Sequence, residues 1–267
     1  GSPDARPIAG ATDLLVHWPD QQTTLTGTLV DLSRIDALRG HRWTDDELVL
    51  GALTTYWDII TDPRAGDELP ILPRAARTVG AVQIQTRGTW AGNIANASPA
   101  ADGVPALMAL DADVETAGEN GTDRVPLDAF YLGYKQLNMQ PGRIITAIRV
   151  PRRRYGFSSF IKVGTRNAQA IAKVGTAITH SDAGWRVVAN SMAPTVRRCR
   201  ALEDALDRRT PIARPEDFIP LLEQDLAPID DIRSTAAYRM NVLARVLFHA
   251  LAPECPFIGT TSGRNAP

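Results

Sequence analysis

The sequence has little of what several common protein classes require. Among its 267 residues only Cys199 and Cys255 are cysteines, and they stand in no CxxC or Cys/His spacing. A disulfide framework, a structural zinc site and an iron–sulfur cluster held by this chain alone are therefore not predicted. The four histidines are dispersed along the chain, so no metal site and no catalytic triad are predicted either.

Long apolar runs and an excess charge of one sign are also missing. No segment is apolar over the length that a bilayer requires, and no basic n-region followed by an apolar h-region is found. The formal net charge of −1 gives no reason to expect a nucleic-acid partner. Together with the scarcity of cysteine, these absences indicate a cytoplasmic protein without a membrane span.

The remaining composition is that of a folded protein of two domains. Apolar residues make up 44% and charged residues 22% of the chain, which excludes a wholly disordered protein. We expect two domains, because a strand-like pattern at 142–150 ends in Pro151 and three arginines. The arginines at 152–154 are expected to form a solvated turn. We therefore predict one domain at 1–151, a second at 152–255 and a tail at 256–267.

Apolar periodicity and turn residues predict an α+β fold. Strands are predicted at 28–32, 47–50, 142–150, 157–163, 171–179 and 185–189. Helices are predicted at 54–60, 68–77, 103–112, 196–206, 217–226 and 234–251. Thr54 and Ser234 are the expected N-caps of the first and last of these helices. Short turns separate the last three strands, which favours an antiparallel three-stranded meander.

Two stretches rich in small residues interrupt this pattern. Residues 86–102 read TRGTWAGNIANASPAAD, and residues 8–14 read IAGATDL. Glycine lets the backbone approach a ligand closely, and consecutive N–H groups can then point at an anion. Each stretch can therefore hold a phosphate-bearing ligand. Considered singly, the first is better explained as a polar loop leading into a helix, and the second as a plain hairpin or loop.

Taken together, the two stretches resemble the paired flavin-binding loops of the molybdenum hydroxylase flavoprotein family. IAGATDL resembles the first loop, AGGTDL, and TWAGNIANASPAAD resembles the second, TIGGNIA followed by ASPxAD. The flanks agree, because PALMALDA at 105–112 is similar to the helix after ASPxAD. KVGTR at 162–166 with IAKV at 171–174 resembles the KxxxR…IAxV segment, and DDIR with AAYR at 230–239 resembles the last helix. The resemblance thus extends over nearly the whole chain.

This family contains the FAD-binding medium subunits of xanthine dehydrogenase, carbon monoxide dehydrogenase and similar enzymes. The resemblance implies a two-lobed FAD-binding domain of the vanillyl-alcohol-oxidase type, followed by a smaller α+β domain with a three-stranded antiparallel sheet and helices. It also implies a large partner subunit with the molybdenum cofactor and a small partner subunit with 2Fe–2S clusters, arranged as a dimer of heterotrimers. The flavin would pass electrons from the clusters to an external acceptor.

The resemblance further implies which residues hold FAD. Backbone N–H groups of the small loop residues would neutralise the pyrophosphate, and loop hydroxyls would add donors. Asp102 would accept from a ribose or ribityl hydroxyl or would cap the following helix, and Lys162 would lie near the adenine or be a solvated strand residue. The expected FAD contacts are Ile8, Ala9, Gly10, Ala11, Thr12, Asp13, Leu14, Thr89, Trp90, Ala91, Gly92, Asn93, Ala95, Asn96, Ser98, Asp102, Ile145 and Lys162.

Three features depart from the family pattern. Ala11 and Ala91 stand where the family has glycine, and alanine at a positive φ costs about 1 kcal/mol or more. Either both backbones have negative φ or FAD binding is weakened. Trp90 replaces a smaller aliphatic residue and is expected against the isoalloxazine or in the core. The chain also shows almost none of the strand and helix that precede the first loop in the family.

These departures keep two other functions open. The first is a flavin-poor structural subunit of the same kind of complex. The second is a self-contained flavin oxidoreductase, although the sequence contains no motif for a second substrate pocket or a catalytic base.

Overall fold

The computed structural model describes residues 5–16, 27–166 and 169–259. The end of the predicted tail, 260–267, lies outside the described residues. The strands are β1 Arg6–Ile8, β2 Leu29–Asp31, β3 His41–Trp43, β4 Glu47–Gly51, β5 Asp113–Gly118, β6 Gly121–Pro126, β7 Tyr131–Gly133, β8 Gln136–Leu137, β9 Ile144–Pro151, β10 Phe157–Val163, β11 Val174–Ser181, β12 Gly184–Asn190 and β13 Arg197–Arg198. The helices are α1 Tyr56–Ile60, α2 Pro63–Glu68, α3 Ile71–Ala76, α4 Val82–Gln85, α5 Trp90–Asn96, α6 Gly103–Ala109, α7 Arg200–Asp207, α8 Ile219–Leu222 and α9 Ala236–Leu251.

An antiparallel five-stranded sheet forms the frame of the N-terminal half. Its strand order is β3-β4-β9-β5-β6, so β9 lies at the centre. Ile148 and Val150 of β9 are fully buried, and they pair with Leu50 and Leu48 of β4. Alternate side chains of a strand face opposite sides, and here one side carries the apolar core. Helix α5 packs on β9, which places the second small-residue stretch beside this sheet.

The C-terminal half contains the predicted meander with one more strand. Strands β10, β11 and β12 are antiparallel neighbours in sequence order, as predicted. The two-residue strand β13 pairs with β12 through Arg198 and Arg197, so the sheet has four strands and the prediction of three is wrong. A two-residue strand has too short an alternation to be recognised in a sequence. Cys199 and Cys255 are buried here and free, as small apolar side chains are.

Two predicted N-caps lie one residue away from the observed ones. Thr55, and not Thr54, caps α1, because its hydroxyl accepts from Asp58 N at 3.2 Å and the Asp58 carboxylate accepts from Thr55 N at 2.8 Å. This is a capping box. Thr54 is fully buried and donates its hydroxyl to a backbone carbonyl. Thr235, and not Ser234, caps α9 through Tyr238 N. Adjacent hydroxyl residues cannot be distinguished as caps by pattern alone.

Several predicted helices are shorter or divided. The helix predicted at 68–77 is the shorter helix α3, Ile71–Ala76, because Glu68 ends the preceding helix α2 and Pro70 stands before Ile71. The helix predicted at 217–226 is a 3-10 turn, Pro215–Phe218, followed by α8. Proline fixes φ and has no N–H to donate, so it separates elements even where the apolar pattern continues. The helix predicted from 196 begins only at Arg200.

Ion pairs join the two halves next to the predicted boundary. Asp111 has a φ of +53°, and its carboxylate contacts Arg153 at 2.5 Å, Arg186 at 2.8 Å and Arg198 at 3.5 Å. Arg152 binds the carboxylate of Glu68 at 2.9 Å. The arginines at 152 and 153 therefore anchor the chain, and the expectation of a solvated turn at 152–154 is wrong for these two residues.

No helix in the part of the chain that the structure describes combines the length and the apolar character needed to span a membrane.

Candidate functional site

The two small-residue stretches lie side by side in the fold. Gly10 packs against the backbone of Arg87 so closely that a Cβ on Gly10 would overlap the Arg87 carbonyl oxygen. Only glycine fits such a backbone-to-backbone contact. Further along, Asn96 Nδ2 donates to Asp13 Oδ1 at 2.9 Å. The first stretch therefore lies alongside the second, from Arg87 near its start to Asn96 at the end of α5. The pairing that the sequence resemblance uses is thus a physical contact.

The first stretch is a tight turn after β1, which ends at Ile8. Ala11 has a φ of +59°, so the expected alternative of a negative φ is wrong at this position. An L-residue there costs about 1–2 kcal/mol. Leu14 begins a 3-10 turn, and Leu15 N donates to Ala11 O at 3.0 Å. The predicted contacts in this stretch are half-buried except Asp13, which is exposed: Ile8, Ala9, Gly10, Ala11, Thr12 and Leu14.

The second stretch is not one continuous loop, because residues Trp90–Asn96 form helix α5. Thr89 is its N-cap. The Thr89 hydroxyl accepts from Gly92 N at 2.9 Å, and the Thr89 carbonyl accepts from Asn93 N at 3.0 Å. These two N–H groups stabilise the start of the helix, so they are not the free anion donors that we expected. Contact of Gly92 and Asn93 with FAD through other atoms stays a prediction.

Helix α5 explains two other departures from the family pattern, Ala91 and Trp90. Ala91 lies inside the helix and has no positive φ, so alanine is not strained there and is a better helix former than glycine. Trp90 is fully buried, and its ring centroid lies 4.8 Å from that of Tyr56. The larger side chain therefore fills the core, which is one of the two interpretations given above.

A buried ion pair joins two of the predicted site residues. Lys162 Nζ lies 2.6 Å from Asp102 Oδ2, and the two side chains are only 10% and 11% exposed. The ammonium also donates to Thr78 O at 2.9 Å. Asp102 makes no side-chain hydrogen bond to cap α6, and Lys162 is not solvated, so both of these alternatives are wrong. A charge at this depth requires such a partner.

The other oxygen of Asp102 is left unsatisfied by the part of the chain that the structure describes. Oδ1 is buried and accepts no hydrogen bond from the described residues. Burial raises the pKa of Asp102 above its ordinary value, and the charge and hydrogen bond of Lys162, together with the nearby side-chain amide of Asn190, oppose that shift. A buried acceptor left unsatisfied costs about 1–3 kcal/mol. This oxygen is therefore suited to accept a hydrogen bond from a ligand hydroxyl.

Two more unsatisfied polar atoms lie near the start of α6. A Cβ built on Gly103 would lie 3.0 Å from Tyr56 Oη and 3.1 Å from Asn93 Oδ1. Both atoms are buried without a hydrogen-bond partner among the described residues. Burial, with the charge of Asp102 adding to it, raises the pKa of the Tyr56 hydroxyl well above its ordinary value. The tyrosine is thus a neutral donor. Nothing in the sequence pattern distinguishes Tyr56 from an ordinary core aromatic.

The remaining predicted residues lie around α5 and on β9. Ala95 is exposed, and Asn96 accepts from Lys135 Nζ at 2.7 Å. Ser98 Oγ accepts from Ala100 N at 3.3 Å. Ile145 is 7% exposed on β9. Lys135 was not predicted; it lies in the turn between β7 and β8, and only the fold brings its ammonium to the end of α5.

The fit of these residues to FAD can be judged from the geometry. Gly10 and Gly88 leave the two stretches without side-chain bulk where they meet, because a Cβ on either would meet backbone atoms at 3.0 Å or closer. Near these stretches, the side chains of Tyr56, Asn93 and Asp102 each have a buried polar atom without a hydrogen-bond partner among the described residues. No cluster of three or more metal-ligating side chains occurs within residues 5–16, 27–166 and 169–259. The arrangement suits the binding of a polar organic cofactor.

Two family models match this sequence, and they divide it near the end of β9. Residues 1–153 match the FAD binding domain in molybdopterin dehydrogenase. Residues 159–253 match the CO dehydrogenase flavoprotein C-terminal domain. The first match alone spans more than half of the chain.

The chain belongs to this flavoprotein family.

Relatives of this flavoprotein align with its sequence over most of their own length. The carbon monoxide dehydrogenase medium chain of Hydrogenophaga pseudoflava is 29% identical, over 93% of this chain and 88% of that protein. The putative xanthine dehydrogenase FAD-binding subunit XdhB of Escherichia coli K12 is 28% identical, over 91% of this chain and 86% of that protein. Among solved structures, reconstituted CO dehydrogenase from Oligotropha carboxidovorans contains a chain with a TM-score of 0.84 and 27% identity, covering 93% of this chain and 89% of that one.

These matches confirm the resemblance given by the two motifs. The flavoprotein carries an FAD-binding domain followed by a second domain of mixed helix and sheet, and it is a component of an oxidoreductase. FAD is its cofactor. Which of its residues contact FAD stays a prediction.

Proposed function

We propose that this protein is the FAD-carrying electron-transfer subunit of a heteromeric molybdenum hydroxylase. In this proposal a large partner subunit with the molybdenum cofactor oxidises the substrate, and a small partner subunit with 2Fe–2S clusters delivers the electrons. The flavoprotein then passes them to an external acceptor. The observation that carries the proposal is the contact between the two motif stretches at Gly10 and Arg87, in a chain whose relatives are medium chains of such enzymes.

FAD supplies the redox chemistry, and the residues of this chain bind and orient it. We propose that the turn at 9–12, with the hydroxyls of Thr12 and Ser98, faces the pyrophosphate and ribityl part. Asp102 accepts from a sugar hydroxyl through Oδ1, because that oxygen is buried and unsatisfied. Lys162 keeps Asp102 ionised for this task, since a carboxylate accepts more strongly than a carboxylic acid.

The proposal includes an arrangement of domains and partners. The FAD-binding domain comprises 1–151, the second domain 152–255 and a tail 256–267. The complex is a dimer of heterotrimers, has no nucleic-acid component and works in the cytoplasm. A native mass of the complex purified through this chain, with flavin, molybdenum and iron counted, tests the arrangement. One flavin per chain, with molybdenum and iron in the same particle, is the expected result.

A sharper test uses two glycines that both lie exposed in short helices. In Gly92→Val the new Cβ would lie 2.8 Å from Thr89 Oγ1, whereas a Cβ on Gly66 in α2 meets no atom within 4 Å. We expect Gly92→Val to lose FAD and Gly66→Val to retain it, measured as flavin absorbance per mole of folded protein. Equal retention in the two variants would contradict the role of the second stretch.

A second function, a flavin-poor structural subunit, has one observation in its favour, the strained φ of +59° at Ala11. The two functions differ in a single measurement. If the purified chain binds no FAD but still isolates with both partner subunits in equal amounts, the structural function is the correct one.

A further inference from the structure

A short hairpin binds the last turn of α5 at two points. Strands β7 and β8 form it, with Tyr134 and Lys135 in the turn between them. Tyr131 Oη donates to Ile94 O at 3.2 Å in the interior. Lys135 Nζ donates to Asn96 O at 2.5 Å and to Asn96 Oδ1 at 2.7 Å. The end of α5 is therefore bound to this hairpin by a buried hydroxyl and by an exposed ammonium.

The side chain of Asn96 connects this contact to the first stretch. Its Oδ1 accepts from Lys135, and its Nδ2 donates to Asp13 Oδ1 at 2.9 Å. An ammonium can only donate and a carboxylate can only accept, so both neighbours require the same orientation of the amide. Hydrogen bonds arranged in such a row strengthen one another. Lys135 thus supports the bond to Asp13 through the amide of Asn96.

The fold places Lys135 at this point in spite of its backbone. Its φ is +56°, which is unfavourable for an L-residue. A backbone of this kind is retained where the surrounding structure fixes it, and it is common next to ligands. The Asn96 carbonyl belongs to the last turn of α5, where carbonyls have no partner within the helix and a cation is favourable. The ASPxAD residues begin directly after it, at Ala97.

The row of Lys135, Asn96 and Asp13 fixes one of two places where the stretches meet. The other is the contact between Gly10 and Arg87. A ligand held by both stretches binds more tightly when they are already in position, because less order must be imposed on binding. The Asn96 contact is therefore suited to keep the first stretch in place before the ligand arrives.

We propose that Lys135 is a positioning residue for FAD: through the amide of Asn96 it holds the first stretch against α5 and so raises the affinity for FAD. The inference rests on the proposed function, because it takes both stretches as the FAD site. It requires no contact between Lys135 and the cofactor, and this separates it from an ordinary lysine–phosphate pair.

The first test compares the FAD affinity of full-length variants by calorimetry. We expect Lys135→Met to bind FAD about tenfold more weakly, as for the loss of a hydrogen bond to a charged group, with a urea midpoint close to that of the wild type. Lys135→Arg keeps a charged donor and should bind within about threefold of the wild type. Arg245→Met removes the same charge from an exposed position of α9 and should bind as the wild type does. Wild-type affinity in Lys135→Met would overturn the inference.

The second test distinguishes positioning from direct contact. Asn96→Ala removes the amide and keeps the backbone carbonyl that Lys135 also binds. In this background Lys135→Met should weaken FAD binding by less than about twofold, because the lysine has no amide to act through. A loss as large as in the wild-type background overturns the inference, since Lys135 would then contact FAD or act only through the carbonyl.

Hydrogen exchange of the flavin-free protein separates this inference from the proposed function. The amide of Leu15 donates to Ala11 O within the first stretch. It should exchange about threefold faster or more in Lys135→Met than in Arg245→Met, because the stretch opens more often. Equal exchange overturns the inference whether or not FAD binds. A wild-type chain that binds no FAD refutes the proposed function, whereas faster exchange at Leu15 still supports the role of Lys135 in holding the first stretch.

Discussion

Replacing Lys162 by methionine removes the only charged partner of Asp102 that the described residues provide, at a site where both side chains are nearly buried. Breaking a buried ion pair by deleting one partner costs about 3–5 kcal/mol. The loss has an upper limit, because the native state can protonate Asp102 instead. At pH 7 that costs about 1.36 kcal/mol for each of the roughly three pH units above the ordinary aspartate pKa, or about 4 kcal/mol. We therefore expect Lys162→Met to lower the free energy of unfolding by about 3–4 kcal/mol at pH 7.

The pH dependence of this loss follows from the direction of the pKa shift. Burial already raises the pKa of Asp102 in the folded wild type, and removing the ammonium raises it further. Between the unfolded and folded pKa values the native state binds more protons than the unfolded state, so stability falls as the pH rises through this interval. Near pH 4, close to the ordinary aspartate pKa, protonating the carboxyl costs almost no free energy, so the native variant can hold it neutral. The cost of Lys162→Met should then be about 1 kcal/mol, the value of its bond to Thr78 O.

Urea unfolding of flavin-free protein, followed by tryptophan fluorescence at pH 7 and pH 4, measures both values. Two controls isolate the charge. In an Asp102→Asn background Lys162 has itself lost its counter-charge, so the same lysine substitution should cost little or should raise stability. Lys135→Met removes an exposed lysine and should cost under about 1 kcal/mol. A loss at pH 7 that is as small as this control, or that does not shrink at pH 4, would refute the reasoning.

Three further substitutions test the backbone features. Ala11→Gly relieves about 1–2 kcal/mol of strain and adds about 0.4–1 kcal/mol of unfolded-chain entropy, so the urea midpoint should rise slightly; a fall would contradict the φ of +59°. Gly10→Ala forces a Cβ into the Arg87 carbonyl. It should lower the free energy of unfolding by about 1–3 kcal/mol and should also reduce the amount of bound FAD. The control Gly156→Ala, where a Cβ has room, should change neither quantity. Thr55→Ala removes the capping box of α1 and should cost about 0.5–2 kcal/mol in thermal unfolding; no change would contradict that cap.

Much of the fold was predictable because its apolar pattern is strong. The strand at 142–150 alternates apolar and polar residues, and the strand at 47–50 is a short apolar run bounded by turn residues; they form the neighbouring strands β9 and β4 of the five-stranded sheet. The meander was predictable from its short turns. The additional strand β13 was not, because two residues are too few for a periodic pattern. The later start of the helix predicted at 68–77 follows from Pro70, and its apolar pattern concealed the break.

The two motifs of the candidate site were predictable from the sequence, but the contacts between their individual side chains were not. Spacing and composition identified IAGATDL and TWAGNIANASPAAD, but they could not show that α5 begins within the second. The partners of Asp102 and Asn96 depend on tertiary contacts, because Lys162 and Lys135 approach them from distant segments. A buried hydroxyl such as that of Tyr56 has no signature in a single sequence, since the same residue type commonly fills cores.

The position of Asp111 has a consequence for dissecting the protein. Two of its arginines, Arg186 and Arg198, belong to the C-terminal half, and Arg153 follows the predicted boundary at 151. A fragment cut at that boundary would keep the carboxylate and lose all three guanidinium groups. We therefore expect the two halves to melt in one cooperative transition, and the FAD-binding half, made by itself, to be a poor substitute for the intact chain.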